Sequence, residues 1–434
     1  MKNYLKQLSL TLILPATLWG NETLDLELIG KPNRDLLTSM LAEEDNPVQR
    51  PTMVKVTPPP ANPKANYIDV SLVLKAAAGA STAQDSEIAQ LQTGFHDPRR
   101  RGFTFQAGEL SLSGAVDTWF KAEMHANFSE SAVELEEAFI TTTSLPYKLE
   151  LEMGYFLTEF GRKNPSHAHV SDFADQSIVK GRMFGGEGQR ATGFRLAKLL
   201  PLPWMSELHI GMQSPVGGLT SSFRSTADTT IGGRPTVTRD THSMTDMISL
   251  IRLVNGGAIS SDWEAQLGFS ALMGPNSTGT STDTTLLGTD LVLRWDSPKQ
   301  RQGYPFFKFE AEAIQRTFEA ASGTQSGLSY SANDLEDWAW LMEGVYGFAP
   351  RWRAGLRYEQ AGGDGASFSQ LRSADSARSD RTRLTPMVTF RASEFSKLTF
   401  QVNFDDADHL ADKTQTSYWL SAEVLIGKHP AHNF

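Results

Sequence analysis

Within nine residues of the 434-residue chain, "HAHVSDFAD", stand His167, His169, Asp172 and Asp175. Imidazole nitrogens and carboxylate oxygens are the donors a divalent metal takes. Two histidines two apart point the same way if the chain there is extended. The spacing is not that of a structural zinc site, so the same residues also fit a folded constriction loop held by hydrogen bonds. His429 and His432, in "KHPAHNF", form a second sparse pair. Further along, "RWRAGLRY" carries Arg351, Arg353 and Arg357, and "RLTPMVTFR" carries Arg383 and Arg391. If these two stretches pair as a hairpin, the guanidinium groups make a ladder down one wall. Carboxylates recur at the same period elsewhere: Glu123, Glu150, Glu152, Glu264, Glu310 and Glu312. A basic wall opposite an acidic one would set up a transverse field favouring small polar and charged solutes. Pairing across neighbouring strands is the plainer use of the same charges. No Gly-x-Ser-x-Gly elbow, phosphate loop or His-Glu-x-x-His is present, so no enzyme is expected. The chain contains no cysteine, which excludes disulfides, thiolate metal sites and cysteine nucleophiles.

The elements that must position these groups are strands. In "KLTFQVNFD", Leu398, Phe400, Val402 and Phe404 alternate with Lys397, Thr399, Gln401, Asn403 and Asp405. That is the period of a strand with one apolar and one polar face. "YIDVSLVLK", "WFKAEMHA", "KLELEMGYFLT", "ELHIGM", "WEAQLGFSA", "FKFEAEA" and "YWLSAEVLI" read the same way, with His125 and His209 on polar faces. The series predicts about sixteen strands from Tyr67 to the C-terminus. Two stretches break the alternation. "VELEEAF" puts Glu137 on the parity of Leu135 and Phe139, and "FTFQAGELSLS" changes parity near Gly108, which a bulge would explain. The breaks alternate in length. "GAVD", "TSLPY", "LPLPW", "SPKQR", "FAPR" and "ASEFS" are short, whereas 79–100, 159–189, 215–243, 316–334 and 361–380 are long and mostly rich in Gly, Ser, Thr and Asp. Short turns on one rim and long loops on the other are the mark of an outer-membrane barrel, not of a soluble sandwich. The apolar faces are then expected to meet lipid and the polar faces a water-filled lumen.

The N-terminus agrees with export. Lys2 and Lys6 precede an apolar stretch to Leu18, a secretory signal layout with cleavage expected near Gly20. The expected organisation is a signal at 1–20, an extended periplasmic segment at 21–66 and an antiparallel transmembrane β-barrel at 67–434. The formal net charge of −10 argues against nucleic acid as a partner. The expected partners are outer-membrane lipid, the barrel-assembly machinery, small solutes or metal ions, and two further copies of the chain in a homotrimer. No cofactor is expected. Phe434 is the kind of terminal aromatic that assembly machinery reads on its clients. The location is the outer membrane of a Gram-negative-type bacterium.

Residues 154–224, from "GYFLTEFGRKNPSHAHVSDFADQSIVKGRMFGGEGQR" onward, and the ending "IGKHPAHNF" carry a resemblance. They resemble outer-membrane proteins of the zinc-regulated TonB-dependent receptor family and, more loosely, phosphate-selective porins. The resemblance implies an outer-membrane barrel, a link to zinc and energy coupling. "PTMVKVTP" at 51–58 is similar to the short box such receptors offer an energy-transducing partner. The chain departs from that family in size. Energised receptors have about twenty-two strands and a plugged lumen, and residues 21–66 leave no room for a plug domain. The reading is therefore a porin-like channel for small hydrophilic or charged solutes, with a metal-related receptor or transporter as the alternative.

Overall fold

The computed structural model describes residues 68–428, apart from 218, 226–230, 326 and 369. Residues 1–66, where a signal and a periplasmic segment are expected, and His429, His432 and Phe434 lie outside the described residues. Sixteen strands close into one barrel in sequence order, every neighbouring pair antiparallel. They are β1 (Ile68–Ser81), β2 (Gly102–Ala115), β3 (Phe120–Phe128), β4 (Val133–Thr142), β5 (Leu149–Leu157), β6 (Arg190–Leu199), β7 (Met205–Gln213) and β8 (Ile248–Ala258). The second half comprises β9 (Trp263–Pro275), β10 (Asp283–Arg301), β11 (Tyr304–Ala320), β12 (Asn333–Ala349), β13 (Trp352–Asp364), β14 (Arg381–Ser393), β15 (Ser396–Ala407) and β16 (Thr414–Gly427). β16 pairs with β1, so no strand edge is left open.

The stretch "KLTFQVNFD" shows which way the barrel faces. Phe400 and Phe404 are 48% and 46% exposed, whereas Gln401 and Asn403 between them are fully buried. Apolar outside and polar inside inverts the order of a soluble protein. A continuous outer apolar surface of this kind belongs against lipid. Among the described residues no helix is long and apolar enough to cross a membrane. Small side chains appear where the inside is crowded. Gly79 of β1 lies against the fully buried Trp419 of β16, and a Cβ there would strike the indole ring.

Both breaks in alternation are bulges. In β2 the register against β1 slips at Gln106, two residues before Gly108. In β4 the register against β3 slips at Glu136, between the pairs His125–Glu137 and Ala126–Leu135. The extra residue reverses the parity of the strand. Glu136 and Glu137, adjacent in sequence, are therefore both buried on the inside.

The barrel wall is uneven. β3, β5 and β7 have nine residues each, whereas β10 has 19 and β11 and β12 have 17 each. Segment 158–189, between β5 and β6, starts from this low stretch of wall and folds into the lumen. The rim on its side otherwise carries loops such as 82–101, 214–247 and 365–380, with one short turn at 129–132. The opposite rim carries only short turns. One is the two-residue turn Gln302–Gly303, whose φ values of 56° and 78° suit a tight hairpin.

Candidate functional site

Segment 158–189 is tied off at its base before it enters the lumen. Thr158 N–H donates to Gln189 O at 2.9 Å. Asn164, fully buried, donates to Thr158 O and Gln189 O at 2.7 and 3.0 Å and accepts from Gln189 N–H at 2.7 Å. Asn164 thus clasps both ends of the segment. Next to it, Lys163 reaches across to β11 and β12 and pairs with Glu310 and Glu343, each at 2.6 Å. Glu312 accepts the backbone N–H groups of Arg162 and Lys163 at 3.1 and 2.9 Å.

The far part of the segment is a short helix, α1 (Ile178–Phe184). The Ser177 hydroxyl caps it by accepting from Lys180 N–H, the ordinary way of satisfying a first-turn donor. Ile178, Val179, Met183 and Phe184 pack with Phe160 onto inward apolar residues of β8, β10, β12 and β13, among them Leu250, Leu286, Leu341 and Ala361. An apolar patch inside an otherwise polar barrel gives the helix a seat. Glu359 of β13 accepts from Ile178 N–H at 2.7 Å.

Between the base and the helix runs "HAHVSDFAD", and its two ends meet opposite walls. At one end, His167 Nε2–H donates to Glu137 at 2.7 Å, and His169 lies 2.8 Å from Glu109. Glu109 of β2 also stands 3.4 Å from His167 and 3.6 Å from His125 of β3. At the other end, Asp172 pairs with Arg353 at 2.9 Å and lies 3.6 Å from Arg391. Asp175 pairs with Arg357 at 2.6 Å and Arg383 at 3.0 Å and accepts from Asn403 at 2.6 Å. The quartet expected to share one metal is therefore split. The histidines face a carboxylate wall and the aspartates an arginine wall, so they are not one ligand set.

Local electrostatics follow from these neighbours. Burial alone would push the His167 imidazole down. Glu109, Glu136 and Glu137 outweigh it and hold the group well above the ordinary histidine value. Burial would push Asp172 and Asp175 up. Arg353, Lys308 and Arg391 around the first, and Arg357 and Arg383 around the second, hold both below the usual carboxylate range.

The arginine ladder is four residues, not five. Arg353 and Arg357 of β13 and Arg383 and Arg391 of β14 face inward. Arg351 sits in the β12–β13 turn with φ 74°, exposed. It falls out of register because the strand begins one residue later, at Trp352. Glu310 and Glu312 lie on β11 and are taken up by the base of the segment. Glu123, Glu150 and Glu152 lie on β3 and β5, beside Lys121 and Arg195. Glu264 faces inward on β9. An open space of about 1150 Å³ lies between the segment and the wall of β3–β9, bordered by Lys121, Glu123, Glu150, Glu152, Arg162 and Arg195.

Several residues that do most of the anchoring are not among the site residues expected from sequence: Glu109, Glu136, Glu137, Lys163, Asn164 and Glu359. The parity anomaly of "VELEEAF" was the one available signal for Glu136 and Glu137. The others make contacts with sequence separations no local pattern encodes.

No family model matches the chain. It is 25% identical over 410 residues to an uncharacterised protein of Aquifex aeolicus, covering 86% of this chain and 81% of that one. Among solved structures, it resembles the outer-membrane channel DcaP of Acinetobacter baumannii, with a TM-score of 0.54 and 14% identity over 83% of this chain and 97% of that one. It also resembles an anion-selective porin from Comamonas acidovorans, with a TM-score of 0.52 and 10% identity over 83% and 100% of the two chains. At these identities the likeness is one of fold, a sixteen-stranded barrel of the outer-membrane porin type.

Proposed function

We propose that the protein is a porin-like channel of the outer membrane that passes small hydrophilic or charged solutes. The observation that carries this reading is the segment 158–189, folded into a barrel whose interior is polar and charged and whose outside is apolar. A sixteen-stranded barrel is wide enough for an aqueous lumen, and a loop folded inward narrows it to a selective passage. The residues assigned to line that passage are Glu123, Glu150, Glu152 and Glu264 on one side and Arg353 and Arg391 on the other. Glu310, Glu312, Arg357 and Arg383 are engaged in holding the segment. The space beside the segment is bordered by five glutamates, at 123, 137, 150, 152 and 159, and by Lys121, Arg162, Arg195 and Arg252. Carboxylates and fixed cations nearly balance there, which supports weak charge selectivity over a strongly selective pore.

The test is single-channel conductance of the refolded protein in a planar bilayer under a salt gradient. Stable steps with a small reversal potential are expected. A silent membrane containing folded, inserted protein would overturn the reading. The metal-related receptor gains no support from the barrel: the segment in the lumen belongs to the barrel itself, and the residues thought to share a metal are apart.

A further inference from the structure

The cluster where the histidine end meets the wall brings together Glu109, His125 and His167, from β2, from β3 and from the folded-in segment. One donor atom from each lies within 4.8 Å of the others. Glu109 Oε1 is 3.4 Å from His167 Nδ1 and 3.6 Å from His125 Nδ1. Such separations are long for hydrogen bonds. They match the edges of a tetrahedron, which run to about 3.3–3.6 Å when metal–donor bonds are about 2.0–2.2 Å. We infer that Glu109, His125 and His167 form a site for one zinc-like divalent transition metal, which pins the segment to the barrel wall.

Three further observations favour a cation there. Glu136 Oε2, buried and 3.4 Å from His167 Nδ1, brings a further carboxylate beside the trio, and water would complete the four positions. The surroundings orient the ligands as metal sites do. His167 donates its other ring N–H to Glu137 at 2.7 Å, and the second oxygen of Glu109 lies 2.8 Å from His169. Charge is the third. The ion pairs of Glu109 and Glu137 among the described residues are all with histidines. A divalent ion would neutralise this carboxylate group without requiring charged imidazoles. The neighbouring trio of His96, Glu136 and Glu187 differs, because Arg190 already pairs with Glu187 at 3.1 Å. Two imidazoles and carboxylate oxygens suit zinc, cobalt or nickel over calcium or magnesium. His125, His167 and Glu137 border the open space beside the segment, which gives an ion a way in. The Ser111 hydroxyl, 2.8 Å from His125 Nδ1, would turn aside on binding.

The inference does not rest on the channel reading, since metal can bind in a barrel that conducts nothing. The test loads the refolded full-length barrel in detergent with zinc chloride, desalts it and counts retained metal. The same protein is titrated with cobalt(II) and read by visible absorption. The expected result is one zinc per chain and an intense tetrahedral cobalt band. His125→Gln and His167→Gln should each weaken binding by at least about tenfold, and Glu137→Gln by about 10–100-fold. No retained zinc, or cobalt that stays octahedral, would overturn the site without recourse to any variant. Undiminished binding in both folded histidine variants would overturn it as well, placing the metal elsewhere.

Discussion

The two ends of "HAHVSDFAD" do the same job by different chemistry. The aspartate end is fixed by guanidinium groups that stay charged at any pH a cell meets. Arg357 and Asp175 are almost fully buried, so their attraction is little screened. The histidine end is held by imidazoles against carboxylates, so its charge depends on what the imidazoles bind. One nine-residue stretch therefore carries a permanent anchor and a conditional one. Each wall also meets the opposite sign on the segment. The segment stands between the basic and the acidic wall and pairs with both, so part of the expected transverse field is cancelled locally.

The comparison breaks most completely if the segment is removed. Deleting 164–186 takes away both anchors and the apolar seat, and single-channel conductance should rise at least about twofold. Unchanged conductance would show that the segment does not restrict the passage. A smaller effect is expected from Asp175→Ala, which leaves Arg357 and Arg383 buried without their shared partner. Breaking a buried pair costs about 3–5 kcal/mol. The segment should leave its seat part of the time, seen as larger and noisier steps. His169→Gln removes only one of the contacts at the conditional end, and its steps should stay close to wild type. Equal noise in both variants would erase the difference between the ends.

How far the sequence reveals this depends on the range of the contacts. Alternation is local: it predicts about sixteen strands from Tyr67 onward, and sixteen close the barrel from Ile68. The inward parity of Arg353, Arg357, Arg383 and Arg391 is equally local. Arg351 shares that parity but lies before the strand begins, and alternation cannot see where a turn ends. The division of His167 and His169 from Asp172 and Asp175 is different in kind. It depends on which wall the segment reaches, and Asp175 meets residues about 180 to 230 positions away. Nearness in sequence suggested one site, and the electrostatics of the two walls pulled it apart.

Acid should sharpen the contrast from the aspartate side. His409, in the loop between β15 and β16, lies 2.8 Å from the Ser379 hydroxyl, and Ser379 O accepts from Arg182 of α1 at 2.6 Å. Burial, with Arg381 and Arg182 nearby, pushes His409 from 6.5 down to about 4. Between those values the released loop binds a proton that the seated loop does not. The contribution of His409 to the seat is therefore full above pH 6.5 and falls as pH drops toward 4. Asp172 and Asp175 do not titrate in that window, because their arginines hold them below it. Flicker of single channels should grow on acidification from pH 7 to 4.5 and should grow less in His409→Gln. The same growth in both would assign the effect to other groups.

The smallest effect separates two arginines of one sequence motif. Arg351 is exposed in a turn at φ 74°, a conformation costing a non-glycine residue about 1–2 kcal/mol. Arg351→Gly should leave the reversal potential unchanged and raise the melting temperature slightly. Arg353, two residues on, points inward and holds Asp172 at 2.9 Å. Arg353→Ala removes one fixed cation from the passage and loosens the aspartate beside it, so the reversal potential should move toward greater cation preference. Equal shifts for the two variants would return Arg351 to the lumen, and with it the five-residue ladder that the turn interrupts.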